Sequence, residues 1–198
     1  MSVSKRSFDI LIATFGVILC IPVFLVVAAT AKLKDRGPVF FRQERIGLGG
    51  RPFHMWKFRS MVQDAAMLGG QLTVEGDPRI TRIGGMLRKY KLDELPQLLN
   101  VLIGHMSLVG PRPEVAKYVA LYNAEQRKVL DLMPGITDPA SIAYRDESRL
   151  LSKSPDPERL YMEIIMPEKI RINLEYAQHA TLWSDMRVML LTLRKLLA

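Results

Sequence analysis

A single cysteine, Cys20, in a chain of 198 residues rules out an internal disulfide. Histidine is almost as scarce. His54, His105 and His179 stand far apart, and no Cys/His spacing suits a zinc site. No Rossmann or P-loop glycine motif occurs, and there is no internal repeat or low-complexity tract. Acidic residues are outnumbered, 20 against 28 Lys and Arg, for a net charge of +8. That excess favours a polyanionic partner: a phosphate-bearing ligand, anionic lipid or nucleic acid. A basic stripe interleaved with aromatics is missing, which argues against nucleic acid. Global disorder is excluded by 48% apolar and 24% charged residues. The length suits one domain with appendages.

What the chain does have is a run without charge from Ile10 to Ala31, long enough to cross a hydrocarbon core as a helix. Lys5 and Arg6 precede it, Lys32, Lys34 and Arg36 follow, and Pro22 lies near its middle. Three readings compete. Ala29-Thr30-Ala31 resembles a signal-peptide cleavage site, but the run is long for that role and basic residues follow at once. A spanning helix tolerates a mid-run proline. A helix that bends at Pro22 and returns to the same side keeps both basic flanks on one face of the membrane.

After Gly37-Pro38 the pattern changes. Val39-Phe40-Phe41 and Pro52 to Phe58 read as the strands of a hairpin, with Gly47, Gly49 and Gly50 between them. Lys57 and Arg59 project from one face of the second strand, the spacing of either a solvated edge or a pair of anion-binding cations. Met61 to Leu68 reads as a short helix ended by Gly69 and Gly70, and Asp77-Pro78 as the start of another, with Gly84-Gly85 marking a close backbone approach. Glu114 to Met133, Arg159 to Ile172 (interrupted at Pro167) and Leu182 to Leu197 read as helices. The last suits either a headgroup region or a core.

Two stretches carry candidate chemistry. Asp93-Glu94 lies between basic residues (Arg82, Arg88, Lys89, Lys91) and an apolar helical pattern (Leu95, Leu98, Leu99, Leu102, Ile103). Asp93 ahead of Pro96 suits a helix N-cap. An ionised carboxylate there can also attack phosphorus, and a carboxylate pair can hold Mg²⁺ together with phosphate oxygens. Gly110-Pro111-Arg112-Pro113 is a turn that presents one guanidinium with little backbone freedom, suited to forked contact with phosphate or simply a connection.

Seven segments in order resemble the bacterial sugar transferases, the small membrane-associated polyprenyl-phosphate phosphoglycosyl transferases. They are Lys5-Arg6-Ser7-Phe8-Asp9, Gly37-Pro38-Val39-Phe40-Phe41-Arg42-Gln43, Lys57-Phe58-Arg59-Ser60-Met61, Asp77-Pro78-Arg79-Ile80-Thr81, Leu92-Asp93-Glu94-Leu95-Pro96-Gln97, Met106 to Pro113, and Pro134-Gly135-Ile136-Thr137. The resemblance implies an α/β class, rich in helix with a small β-hairpin or sheet. Residues 1–36 would form a re-entrant membrane helix, and 37–198 a catalytic domain on the cytoplasmic face of the bacterial inner membrane. It implies transfer of a sugar-1-phosphate from a UDP-sugar to undecaprenyl phosphate, releasing UMP, through a covalent intermediate on Asp93. Glu94 would share Mg²⁺ with Asp93, and Lys57, Arg59, Arg88, Arg112 and Arg145 would bind the anionic substrate. A membrane-tethered scaffold without activity is the alternative. Three positions depart from the family pattern: Ile21 where serine commonly precedes the proline, His105 where an acid is usual, and Asp138 where glycine is usual.

Overall fold

The structure, a computed structural model, describes residues 1–35, 37–65, 67–68, 70 and 72–197. Arg36 of the basic flank and Gly69, expected to end a helix, lie outside the described residues. Helix α1 (Val3–Asp35) contains the whole charge-free run, with Pro22 inside it. At 33 residues it is about 50 Å long.

The polar foot of α1 is stitched into the rest of the chain. Arg6 donates to the carbonyls of Val101 (2.6 Å) and Leu102 (2.9 Å) in the last turn of α3 (Gln97–Leu102), where a helix runs out of its own donors. Asp9 is fully buried and accepts from the Ser107 hydroxyl at 2.7 Å, at the start of β3 (Ser107–Val109). Lys5 pairs with Asp185 at 2.6 Å, in α10 (Leu182–Leu197). Farther along, Ala13 is buried among Phe53, Met55, Val101 and Met106, and Val27 is buried with Phe58 and Leu87. Both halves of the apolar helix therefore pack on the same body. Its other faces leave Leu11, Phe15, Leu19 and Leu25 mostly exposed.

The expected hairpin forms, with a longer first strand: β1 (Phe40–Ile46) pairs antiparallel with β2 (Pro52–Phe58), Phe40 opposite Phe58 and Ile46 opposite Pro52. Phe53 and Met55 alternate inward, as the two-residue period of a strand requires. Phe58 is stacked on Phe40 and meets Phe24 of α1 edge-on at 4.9 Å. A second sheet joins β3 in parallel to β4 (Gly135–Thr137).

Three expected elements differ. No helix forms among the described residues of 61–68. Met61 bridges to Ile80, the Val62 amide donates to the Arg79 carbonyl at 2.8 Å, and Asp64 has a positive φ of 61°. Asp77 does not start a helix, because its carboxylate is turned onto the Arg79 backbone amide (3.0 Å) and guanidinium (2.6 Å). Arg79 in turn donates to the Gly70 and Leu72 carbonyls, pinning the loop. Helix α2 (Arg82–Lys89) starts instead at Thr81, whose side chain caps the Gly84 amide. The stretch 114–133 is broken into α4 (Ala116–Val119), α5 (Ala124–Arg127) and a 3-10 turn (Lys128–Asp131), because Asn123 and Gln126 form a reciprocal cap that restarts the helix.

Past β4, α6 (Pro139–Ala143) and α7 (Glu147–Ser152) lead to a continuous helical run of α8 (Pro157–Leu160), a π-helical turn (Tyr161–Ile165) and α9 (Met166–Gln178). Pro167 does not interrupt this run. Lacking the amide that would close a regular turn, it is accommodated just after the wider π turn. The closing helix matches its expected bounds, Leu182–Leu197.

The Gly84-Gly85 pair does mark a close approach, at its first member only. A Cβ on Gly84 would lie 1.8 Å from the Ser60 carbonyl oxygen, whereas one on Gly85 would meet only the Ile80 methyl at 3.9 Å. Gly84→Ala is expected to destabilise by about 1–3 kcal/mol through overpacking. Gly85→Ala is expected to stabilise by about 0.5–1 kcal/mol through helix propensity. Thermal unfolding in one detergent checks both signs.

Candidate active site

The dyad sits on a 3-10 turn (Leu92–Glu94) between α2 and α3. Lys91 turns the chain with a left-handed φ of 54°, after which Leu92 and Leu95 pack into the cluster that includes Val27 and Phe24 of α1. The candidate site is thereby held directly beside the apolar helix.

Two neighbouring carboxylates meet opposite fates. Glu94 is taken by Arg112 in a forked pair, Nη1 to Oε2 at 3.0 Å and Nη2 to Oε1 at 2.5 Å, with both side chains largely buried. Asp93 is 6% exposed, and its Oδ1 is buried without a hydrogen-bond partner. The N-cap reading fails: Asp93 caps nothing, and α3 begins at Gln97, after Pro96, with no side-chain cap. Burial of Glu94, which alone would raise its pKa, is outweighed by Arg112, Lys91 and Lys57, so its carboxyl lies well below the usual range. Burial and the Glu94 charge push Asp93 up, against Lys57, Lys91 and Arg88. A helix N-terminus would favour the ionised form of Asp93, whereas the surroundings here push its pKa the other way. The two adjacent acids are thus driven apart, Glu94 toward a fixed anion and Asp93 toward holding its proton.

Of the expected cations, the structure brings Lys57, Arg88 and Arg112 to the dyad. Burial pulls the Lys57 ammonium down to about 7, with Glu94 the main opposing influence. Arg112 is presented as the proline-flanked turn predicts. The turn is held by a backbone crossing in which a Cβ on Gly110 would lie 2.2 Å from the Met133 carbonyl oxygen, and one on Gly135 2.2 Å from the Gly110 amide nitrogen. The Gly135 amide donates to the Pro111 carbonyl at 3.0 Å. Arg59 lies over Gly37, where a Cβ would meet its Nη1 at 1.9 Å. Arg145 is exposed in the turn after α6, and among the described residues it makes no hydrogen bond or ion pair.

Known proteins supply the name for this arrangement. The family model described as bacterial sugar transferase matches residues 1–198. The chain belongs to that family. It is 38% identical over 200 residues to the UDP-glucose:undecaprenyl-phosphate glucose-1-phosphate transferase of Escherichia coli (strain K12), covering 96% of this chain and 39% of that protein. It is 37% identical over 198 residues to the UDP-N-acetylgalactosamine-undecaprenyl-phosphate N-acetylgalactosaminephosphotransferase of Aeromonas hydrophila, covering 98% of this chain and 43% of that protein. A shorter relative, the uncharacterized sugar transferase EpsL of Bacillus subtilis (strain 168), is 37% identical over 193 residues, 98% of this chain and 87% of that protein. The chain thus spans about two fifths of the first two relatives.

In this member of the family two of the departures from the pattern find local explanations. Asp138 is fully buried as the cap of α6, accepting from the Ser141 amide (2.9 Å) and hydroxyl (2.5 Å), and its charge acts on Arg112. His105 packs edge-on against Phe53 at 5.7 Å. The sequence reading passed over Arg45 and Glu114, which lie beside the Arg112 turn and pair at 3.0 Å. They are 69 positions apart, so no local spacing signals their pairing.

No group of three or more His, Cys, Asp or Glu able to hold a metal occurs among the described residues. The unpartnered Asp93 Oδ1 nevertheless suits Mg²⁺, which binds through one or two carboxylates and takes its other ligands from phosphate and water.

Because folding raises the Asp93 pKa above its ordinary 3.8, the folded state holds that proton more tightly than the unfolded chain. The associated loss of stability begins as pH rises past 3.8 and is complete above the folded pKa. Asp93→Asn is therefore expected to melt higher than the parent at pH 7, with the gain shrinking as pH falls toward 3.8. A melting series over pH measures it. A helix cap would give the opposite sign at neutral pH.

Proposed function

We propose that this chain transfers a sugar-1-phosphate from a UDP-sugar to undecaprenyl phosphate in two steps, with Asp93 as the nucleophile. The carrying observation is the buried, unpartnered Asp93 oxygen beside Lys57, Arg88 and Arg112. In the first step an Asp93 oxygen attacks the sugar-bearing β-phosphorus, the P–O bond to the α-phosphate breaks, and UMP leaves with the electron pair. In the second, an oxygen of the lipid phosphate attacks the same phosphorus, Asp93 is released, and a lipid diphosphate sugar results. The names of the relatives support the substrate classes.

The roles follow from charge. A carboxylate attacking a diphosphate needs cations to offset repulsion. Lys57, half neutral near pH 7 in the free protein, gains its proton fully when the diphosphate arrives, so it costs less to bury beforehand. Arg88 and Arg59 are proposed as phosphate contacts, and Arg145 as an outer contact, on the segment whose capping residue Asp138 acts on Arg112. Glu94 stays ionised and fixes Arg112. Mg²⁺ would be held by the unpartnered oxygen of Asp93 and would neutralise charge on the phosphates, with Glu94, whose two oxygens face Arg112, adding negative charge beside it.

The membrane arrangement is part of the proposal. Residues 1–36 form a re-entrant helix bending at Pro22, and 37–198 a catalytic domain on the cytoplasmic face. Support comes from the packing of α1: Arg6 and Asp9 on one half, and Val27 on the other, contact the same body, whereas a straight crossing would carry them to opposite sides. The donor is water-soluble and the acceptor phosphate stays at headgroup depth, so a site against a shallow helix meets both.

Purified protein with undecaprenyl phosphate and a panel of UDP-sugars is expected to release UMP, and Asp93→Asn to lose both turnover and any phosphosugar adduct while remaining folded. Retained turnover in that variant would refute the mechanism. For topology, cysteines placed singly at Ser2 and Lys32 in a Cys20→Ala background are expected to react with an impermeant maleimide from the same side of inverted vesicles. Labelling from opposite sides would establish a spanning helix.

A further inference from the structure

We infer that Arg45, Glu114 and Tyr161 form a buried network that positions Arg112, and through it Glu94, without touching substrate. For its kinetic arm this rests on the transferase reading above.

The network closes around the carboxylate of Glu114. Its Oε1 accepts from Arg45 Nη1 at 3.0 Å and from the Val115 amide at 2.8 Å. Its Oε2 accepts from the Tyr161 hydroxyl. Arg45 also donates to the Pro113 carbonyl at 3.2 Å and to Gln43 at 2.9 Å. The Ile46 amide donates to the Glu114 carbonyl at 2.8 Å, joining the end of β1 to the same segment. Arg45 and Glu114 are only 14% and 16% exposed at their side chains, and Tyr161 is 4% exposed.

These bonds act on the residues that immediately follow Arg112. The carbonyls of 113 and 114 and the amide of 115 are all held. Pro111 and Pro113 fix φ on either side of Arg112, so the turn has little slack to absorb a shift at Pro113. A displacement there is passed to the guanidinium, whose forked pair with Glu94 tolerates little.

Electrostatics gives the second reason for the network. Arg112 and Arg45 are like charges close enough to influence each other, and burial alone disfavours Arg45. Each arginine has its own glutamate: Arg112 has Glu94 and Arg45 has Glu114. Without Glu114 the second guanidinium would be buried uncompensated behind the first.

Tyr161 brings a distant element into this arrangement. It is the first residue of the π-helical turn, 47 positions from Glu114, and its ring packs against Tyr118 at 5.0 Å. A π turn inside a helix changes which face the following residues present and is common where a side chain serves function. The ring alone would serve the core as phenylalanine. The hydroxyl is what reaches Glu114.

The test uses Tyr161→Phe, which removes one oxygen, and Glu114→Gln, which keeps the shape and removes the charge. Each is measured alone and combined with Arg112→Lys, reading kcat and KM for the UDP-sugar in the full-length protein. Tyr161→Phe is expected to lower kcat/KM about 10-fold and Glu114→Gln about 100-fold, the scale of a small misplacement of a positioning group. In the Arg112→Lys background both effects are expected to shrink to less than about twofold, because the group they position is gone. Effects that multiply undiminished across backgrounds, or a fully active Tyr161→Phe, would overturn the inference. The second readout needs no turnover: the Arg112 Nε–Hε resonance, assigned by its loss in Arg112→Lys, is expected to shift or broaden in Tyr161→Phe. An unchanged resonance overturns the inference. A parent protein that turns over no donor refutes the transferase reading, and the resonance then decides the network alone.

Discussion

The forked pair between Arg112 and Glu94 is the constraint around which the site is arranged. It joins a turn after β3 to a turn before α3 and consumes one carboxylate of a dyad. With Glu94 held as an anion, Asp93 is left with an unpartnered oxygen, a raised pKa and cations at a distance. Neutralising both acids by salt bridges would have left no carboxylate oxygen of the dyad without a partner. Leaving both free would have placed two adjacent carboxylates in a largely buried setting at high cost. The division of labour comes from which acid the arginine reaches.

That pair is useful only where the two turns are held in place, and the surrounding structure does this by close backbone approach. Gly84 against Ser60 seats α2, and Gly110 against Gly135 seats the Arg112 turn. The apolar helix is integrated in the same way. Its polar foot caps the end of α3 through Arg6 and ties to β3 through Asp9, while its second half packs on Leu92 and Leu95 around Asp93. The apolar helix and the site geometry therefore share residues. A change in how α1 sits would be felt first at the 3-10 turn.

Much of the fold was legible where the signal is local. The hairpin, the closing helix Leu182–Leu197, the close approach at Gly84-Gly85 and the rigid Arg112 turn follow from periodicity and from proline and glycine chemistry. The misses share a cause. Met61 to Leu68 has the composition of a helix but is drawn into a bridge with Ile80. Asp77 has the form of a cap, but Arg79 two residues on captures its carboxylate. Asp93 looked like a cap for the same reason, and burial decided otherwise. A carboxylate that can accept from several donors takes the one tertiary packing supplies, and the sequence alone does not rank them.

By itself the sequence determined the elements with strong period or punctuation, the presence of a long apolar helix, and the set of charged residues available for phosphate chemistry. The order of its motifs pointed to the family. Tertiary structure decided which of those charges meet. It paired Glu94 with Arg112 and Arg45 with Glu114, drew the Lys57 ammonium down to about 7, and left Arg145 exposed in its turn. The reason is dielectric as much as geometric. Charges scattered along a solvated chain are screened and interchangeable, whereas burial makes each one depend on the particular partner within reach.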